Sequence, residues 1–166
     1  MDRLFIETKM EVDDDGSIEA LAWPFGVADR VGDMIEKGAF AGSKFPLPML
    51  FGHDGNDPVG AWAEGSEAED GLRLKGNLLV KDVARAREVR ALVRSGAVRG
   101  VSIGFISKAA GKRAGGGRTI TALELLEASL VTIPCHPGAR VTSAKSAIRA
   151  LQIASHLQRA AAHFTR

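Results

Sequence analysis

The stretch Leu72-Arg73-Leu74-Lys75-Gly76-Asn77-Leu78-Leu79-Val80 decides the fold class. Leu72, Leu74, Gly76 and Leu78 fall on one side of an extended chain, with Arg73, Lys75 and Asn77 on the other. That is the period-2 pattern of a strand with one face in a core. Upstream, Val59 to Glu64 reads as a second strand, and the turn-forming Glu67 to Gly71 joins the two as a hairpin. Further out, Met49-Leu50-Phe51 is a short apolar strand that follows Pro46-Leu47-Pro48 and runs into Gly52-His53-Asp54-Gly55. Leu4 to Val12 and Ile18 to Ala22 alternate on either side of Asp13-Asp14-Asp15-Gly16, a hairpin whose second strand stops at Pro24. Between them and the Pro46 segment, Asp29 to Lys37 is a polar excursion closed by Gly38-Ala39-Phe40.

Downstream, the period changes. Val83, Ala86, Val89 and Val93 share one side of a helix that Asp82 is expected to cap, because a carboxylate there accepts from the unpaired N–H groups of the first turn. Gly96 suits the position just past the end of that helix. Val101 to Ser107 is again a strand, Gly111 to Gly117 a flexible basic loop, and Thr119 to Ile133 a long strand ended by Pro134 and Pro137. Many strands and few helices predict an α+β, mainly β architecture over residues 1–142. From Ser143 onward, Ile148, Leu151, Ala154, Leu157, Ala161 and Phe164 form an apolar arc, opposite Arg149, Gln152, His156, Arg159 and His163. Residues 143–166 are therefore expected to form a basic amphipathic helix or tail.

Composition narrows the function classes. The chain has 166 residues, 45% hydrophobic and 25% charged, enough for one core. No apolar run reaches the ~18 residues of a membrane span, and Asp2, Glu7 and Glu11 sit where a secretory leader would carry basic and then apolar residues. The single cysteine, Cys135, forbids an internal disulfide and an all-cysteine zinc site, so a reducing, cytoplasmic setting is expected. The net charge of +2 hides an asymmetry: residues 1–82 carry 8 basic and 17 acidic side chains, residues 83–166 carry 14 and 3. A basic half can dock an acidic partner, but with no tyrosine and two tryptophans the aromatic interleaving of a single-strand binder is missing, and no nucleic acid is required.

Three reactive side chains lie within or at the end of apolar strands: His53 after Met49-Leu50-Phe51, Ser102 in Gly100-Val101-Ser102-Ile103-Gly104, and Glu127 in Leu125-Leu126-Glu127-Ala128-Ser129-Leu130-Val131. Taken singly, a histidine in a turn and a serine in a strand are ordinary surface or filler residues. Glu127 differs, since a carboxylate among apolar neighbours must point outward or be paired. Together the three supply nucleophilic acyl transfer: a hydroxyl, an imidazole to take its proton, and an anion to fix the imidazole's tautomer and stabilise its cation. Gly100 and Gly104 would let a substrate backbone approach the serine.

Four segments in this order resemble one family. Gly32-Asp33-Met34-Ile35-Glu36-Lys37-Gly38-Ala39-Phe40, Leu50-Phe51-Gly52-His53-Asp54 with Pro58-Val59-Gly60, Gly100-Val101-Ser102-Ile103-Gly104-Phe105, and Leu126-Glu127-Ala128-Ser129-Leu130-Val131-Thr132-Ile133-Pro134 are similar to the HK97-type prohead serine proteases of tailed phages. The resemblance covers roughly residues 3–142. It implies an antiparallel β-barrel core flanked by helices, like the herpesvirus assembly proteases, and an endopeptidase that cleaves the capsid scaffold, or the scaffolding segment of the major capsid protein, and itself. It implies Ser102 as nucleophile, His53 as general base and Glu127 as the residue that orients the histidine. Partners would be the major capsid protein and a second copy of the chain; the place of action would be the procapsid in the host cytoplasm, with no cofactor, metal or membrane. The chain departs from the family's Pro-Ala-Asn-Pro with Pro134-Cys135-His136-Pro137. Related viral proteases use a second histidine, so His136 is the alternative third member.

Three rival readings remain. A metal-dependent hydrolase would use His53, Asp54, Asp57 and His136, whose spacing matches no helical ligand pattern. A thiol protease of Cys135 and His136 would need adjacent residues of an extended chain to face each other, which they do not. A catalytically inactive barrel that binds scaffold is the non-enzyme alternative. Removing residues 143–166 should leave peptide hydrolysis intact and impair action on assembled shells, as read by a peptide assay beside a shell-processing gel; loss of folding would instead make the segment core structure.

Overall fold

The computed structural model describes residues 14–142. Eight strands, β1 (Ser17–Pro24), β2 (Met34–Ile35), β3 (Leu47–Phe51), β4 (Pro58–Glu67), β5 (Gly71–Leu78), β6 (Gly100–Lys112), β7 (Arg118–Val131) and β8 (Arg140–Thr142), and one helix, α1 (Ala84–Arg94), account for the regular structure there. The sheet order is β2-β7-β3-β4-β5-β1-β8-β6, and β6 pairs back onto β7. That last pairing closes seven strands into a barrel, with β2 added outside the ring. Closure removes the exposed sheet edges that a flat sheet would present.

The mainly β barrel expected from the sequence is what forms. The alternation in β5 is realised as read: Leu72, Leu74 and Leu78 are buried and Arg73, Lys75 and Asn77 exposed. β4 and β5 form the expected antiparallel hairpin, paired from Gly60 opposite Leu78 to Glu67 opposite Leu72 with a register shift between Trp62 and Glu64. The strand expected over Leu4 to Val12, and the tail from Ser143, lie outside the described residues. β1 takes β5 and β8 as its neighbours.

Two junctions are parallel where an antiparallel barrel was expected: β3 with β7, pairing Met49, Leu50 and Phe51 with Ala128, Ser129 and Leu130, and β2 with the start of β7. Parallel neighbours need a long return path, and the chain between β3 and β7 supplies one through β4, β5, α1 and β6. The helix also differs at its start. Val83, not Asp82, is the capping residue and makes no side-chain cap bond, while Ala86, Val89 and Val93 pack inward as expected and Gly96 turns at φ 79°.

The core is one cluster, from Ile18 and Leu74 through Trp62 and Met49 to Val101, Ala128 and Leu130. Trp62 is fully buried, and its indole N–H donates to the Ala128 carbonyl at 2.9 Å, which ties β4 to β7 across β3. A buried indole placed without an acceptor would forfeit a hydrogen bond, so this contact fixes the height of β7 in the barrel.

The polar excursion before β2 is anchored by charge. Buried Asp33 accepts from the Arg118 backbone N–H at 2.8 Å and from its guanidinium Nε and Nη2 at 3.1 and 2.5 Å. The Arg118 hydrogen bonds hold the Asp33 carboxyl below its ordinary value, against burial, which pushes it up. A depressed carboxyl stabilises the fold above the unfolded-chain value, ~4, and loses that contribution as pH falls through its folded value. Thermal melts should therefore show wild type above Asp33→Asn at neutral pH, with the gap narrowing below about pH 4.

Candidate active site

β6 and β7 are antiparallel, with Val101 opposite Leu130, Ser102 opposite Ser129, Ile103 opposite Ala128 and Gly104 opposite Glu127. Directly opposed residues point to the same side of a sheet. Val101, Ala128 and Leu130 face the core. Ser102, Gly104, Glu127 and Ser129 therefore share the other face, and the strand alternation sets that arrangement without help from loops.

β3 ends beside this face. After Phe51 the chain leaves the sheet at Gly52, whose N–H donates to the Leu130 carbonyl at 3.1 Å. His53 then adopts φ 64°, a left-handed conformation uncommon outside glycine. The turn projects the imidazole over β7, where Nδ1 meets Glu127 Oε1 at 2.7 Å. The histidine side chain is 45% exposed and the carboxylate 14%. One end of the pair thus reaches solvent and the other is shielded by protein. The remaining carboxylate oxygen, Oε2, accepts from the Ser129 hydroxyl at 2.7 Å.

The space expected to admit a substrate backbone at the two glycines is taken by the chain itself. A Cβ on Gly104 would lie 2.3 Å from Glu127 Oε1, and one on Gly100 would lie 2.6 Å from the Pro134 ring. Gly104 is the floor on which the carboxylate rests.

Ser102 is nearly buried, at 7% exposure. It lines a cavity of about 50 Å³ with Trp23, Asp29, Phe105, Cys135 and His136. No hydrogen bond joins its hydroxyl to His53 among the described residues, so the structure joins imidazole and carboxylate directly and sets the serine on the carboxylate's face of the ribbon. Catalytic hydrogen bonds are often long in unliganded enzymes and tighten only on substrate.

His136 has a different setting. It is 2% exposed and stacks edge-on to Trp23 with ring centroids 4.9 Å apart. Its Nδ1 accepts from the Gly138 N–H at 3.1 Å, which leaves Nε2 protonated to donate to the Val27 carbonyl at 3.1 Å. Both ring nitrogens are engaged away from His53. Beside it, burial first and then the Asp29 carboxylate, 3.3 Å from Sγ, push the Cys135 thiol up. A thiol so disposed is a poor thiolate nucleophile.

The residues of the metal reading are likewise dispersed among other partners: Asp54 accepts from the Asn56 N–H, Asp57 pairs with Arg85, and His136 is inside. Among the described residues no group of three or more histidine, cysteine or acidic side chains is placed so that it could hold a metal ion. A larger cavity, about 310 Å³, lies against β1, β4 and β5 and contains none of the candidate residues. Its Lys75 lies 3.8 Å from both Glu19 and Glu64.

A family model described as caudovirus prohead serine protease matches residues 5–153. The chain belongs to that family. The prohead protease of Enterobacteria phage HK97 is 32% identical over 152 residues, covering 86% of this chain and 67% of the relative. A capsid polyprotein of Pseudomonas phage PAJU2 is 35% identical over 127 residues, and the prohead protease of Escherichia phage T5 is 31% identical over 126; each alignment covers 71% of this chain. The chain spans only 18% of the length of the PAJU2 polyprotein and 58% of the T5 protease.

Two features of the site carry no separate signal in composition. Ser129 and Gly104 matter through the register that sets them around Glu127; the alternation Glu127-Ala128-Ser129 does put serine and carboxylate on one strand face, which is the hint the sequence holds. In a crystal structure or by imidazole NMR, Gly104→Ala should lengthen or break the 2.7 Å contact between His53 Nδ1 and Glu127, with a stability cost of about 1–3 kcal/mol from the overpacked carboxylate.

Proposed function

We propose that the chain is a serine endopeptidase in which Ser102 attacks the scissile carbonyl, His53 moves the proton and Glu127 holds the imidazole. The hydrogen bond of 2.7 Å between His53 Nδ1 and Glu127 Oε1 is the observation that carries this reading. An acceptor on Nδ1 keeps the proton there and leaves Nε2 with its lone pair free to accept from a hydroxyl. The carboxylate also stabilises the imidazolium that forms as Ser102 Oγ loses its proton. The same proton then goes to the leaving amine. Water repeats the sequence on the acyl-enzyme, which releases the acid product and restores the serine.

Glu127 is preferred to His136 as third member because both nitrogens of His136 are already satisfied by backbone groups. A triad of this type contributes roughly 10⁴- to 10⁶-fold in rate.

The substrate we assign is the scaffold, or the scaffolding segment of the major capsid protein, with the protease itself as a further target, cleaved inside the procapsid in the host cytoplasm. Membership in a prohead protease family supports this, as does a relative named a capsid polyprotein that contains a stretch similar to this chain. A self-associated dimer fits the same setting.

A fluorophosphonate should label Ser102 in wild type and not in His53→Ala. Labelling that is absent, or that persists without the imidazole, overturns the proposal and leaves a scaffold-binding barrel. Glu127→Gln should slow labelling about 10²- to 10⁴-fold, and His136→Ala, compared at equal folded fraction, far less. Incubation with the neighbouring capsid protein followed by mapping of new termini should show cleavage at the end of its scaffolding segment, absent with Ser102→Ala.

A further inference from the structure

We infer that Ser129 is the positioning residue of this site: one hydroxyl that sets both ends of the His53–Glu127 pair. The inference rests on the assignment of His53 and Glu127 made above.

Ser129 is completely buried. Its Oγ donates to Glu127 Oε2 at 2.7 Å and accepts from the His53 backbone N–H at 3.1 Å. With the 2.7 Å contact from His53 Nδ1 to Glu127 Oε1, these bonds form a closed ring: imidazole, carboxylate, hydroxyl, and the backbone of the same histidine. A hydroxyl has one proton and two lone pairs. Here the proton goes to the carboxylate and a lone pair to the peptide, so the direction of every bond in the ring is fixed.

Each end of the ring needs what Ser129 gives it. The Glu127 side chain has rotatable bonds that would let the carboxylate swing outward along β7; a charge-assisted bond on Oε2 opposes that swing. The floor at Gly104 limits the carboxylate from below. His53 holds a left-handed backbone at φ 64°, a conformation that persists when its surroundings over-determine it. Its N–H, turned away from the β-sheet ladder, has the Ser129 oxygen as acceptor. Ser129 lies opposite Ser102 on β6 and beside Leu50 on β3, so the two strands that carry nucleophile and base meet at this residue. Both hydrogen bonds of the Ser129 hydroxyl go to Glu127 and His53, and it acts through them.

The test is a double-mutant cycle read as the second-order rate of fluorophosphonate labelling of Ser102, corrected for folded fraction, together with kcat and KM on a peptide cut at the mapped site. Ser129→Ala should lower the labelling rate and kcat about 10- to 100-fold while KM stays within about 3-fold. Ser129→Thr, which keeps the hydroxyl, should recover most of the rate. In a Glu127→Ala background the Ser129→Ala change should cost clearly less than it does alone, because one of its two routes to the imidazole is already cut and only the bond from the His53 N–H remains to be lost. Wild-type rates in Ser129→Ala, or a full multiplicative loss on top of Glu127→Ala, would overturn the inference while leaving the His53–Glu127 assignment intact. Wild-type labelling in Glu127→Ala would overturn that assignment and the inference with it. Should Ser129→Ala not fold, Ser129→Cys, near in volume and a weak donor, is read by the same criteria.

Discussion

Everything at this site depends on the register between β6 and β7. Ser102 opposite Ser129 and Gly104 opposite Glu127 put the Ser102 hydroxyl, the carboxylate and two further positions on one face of a two-stranded ribbon, while Val101, Ala128 and Leu130 fill the core on the other. A slip of one residue would exchange the faces, turning Glu127 into the core and Leu130 to the outside. The core face therefore enforces the register of the chemical face. Burial of the apolar set makes a slip costly, and the polar set follows at no separate cost.

The barrel gives that ribbon its third partner. Because β3 runs parallel to β7 and stops at Phe51, the chain leaves the sheet level with Leu130, and the turn at Gly52 and His53 swings the imidazole back over Glu127. Trp62, tied to the Ala128 carbonyl from β4, holds the same segment of β7 from the inside. Strand pairing, a buried indole and a left-handed turn thus converge on residues 127–130. Rigid strands of this kind hold a reactive constellation more tightly than loops do.

The loop cluster near the site is built differently. His136 is held by the Val27 and Gly138 backbone and packs edge-on to Trp23, the Cys135 thiol meets the Asp29 carboxylate, and Arg30 donates to the Pro134 carbonyl. These contacts make the segment a wall of the cavity beside Ser102. Cys135-His136 thus contributes packing and backbone hydrogen bonds, with both imidazole nitrogens consumed in holding the loop.

The alternation of apolar and polar residues determined the strands, the mainly β class and the side of the sheet each side chain takes, because a period of two is a local property of extended backbone. The oddity of Glu127 was legible for the same reason: a carboxylate in an apolar strand needs a partner, whatever the fold. The resemblance named His53 as that partner, with His136 as the alternative to Glu127, but residue pattern alone could not bring together two side chains 74 positions apart. Their contact, the two parallel junctions, and the places of Ser129 and Gly104 around it were decided only when the sheet closed, since closure selects which strands become neighbours and at what height. The capping of α1 by Val83 instead of Asp82 belongs with these. Local pattern tells each residue which way to face; only the closed barrel tells it what it will find there.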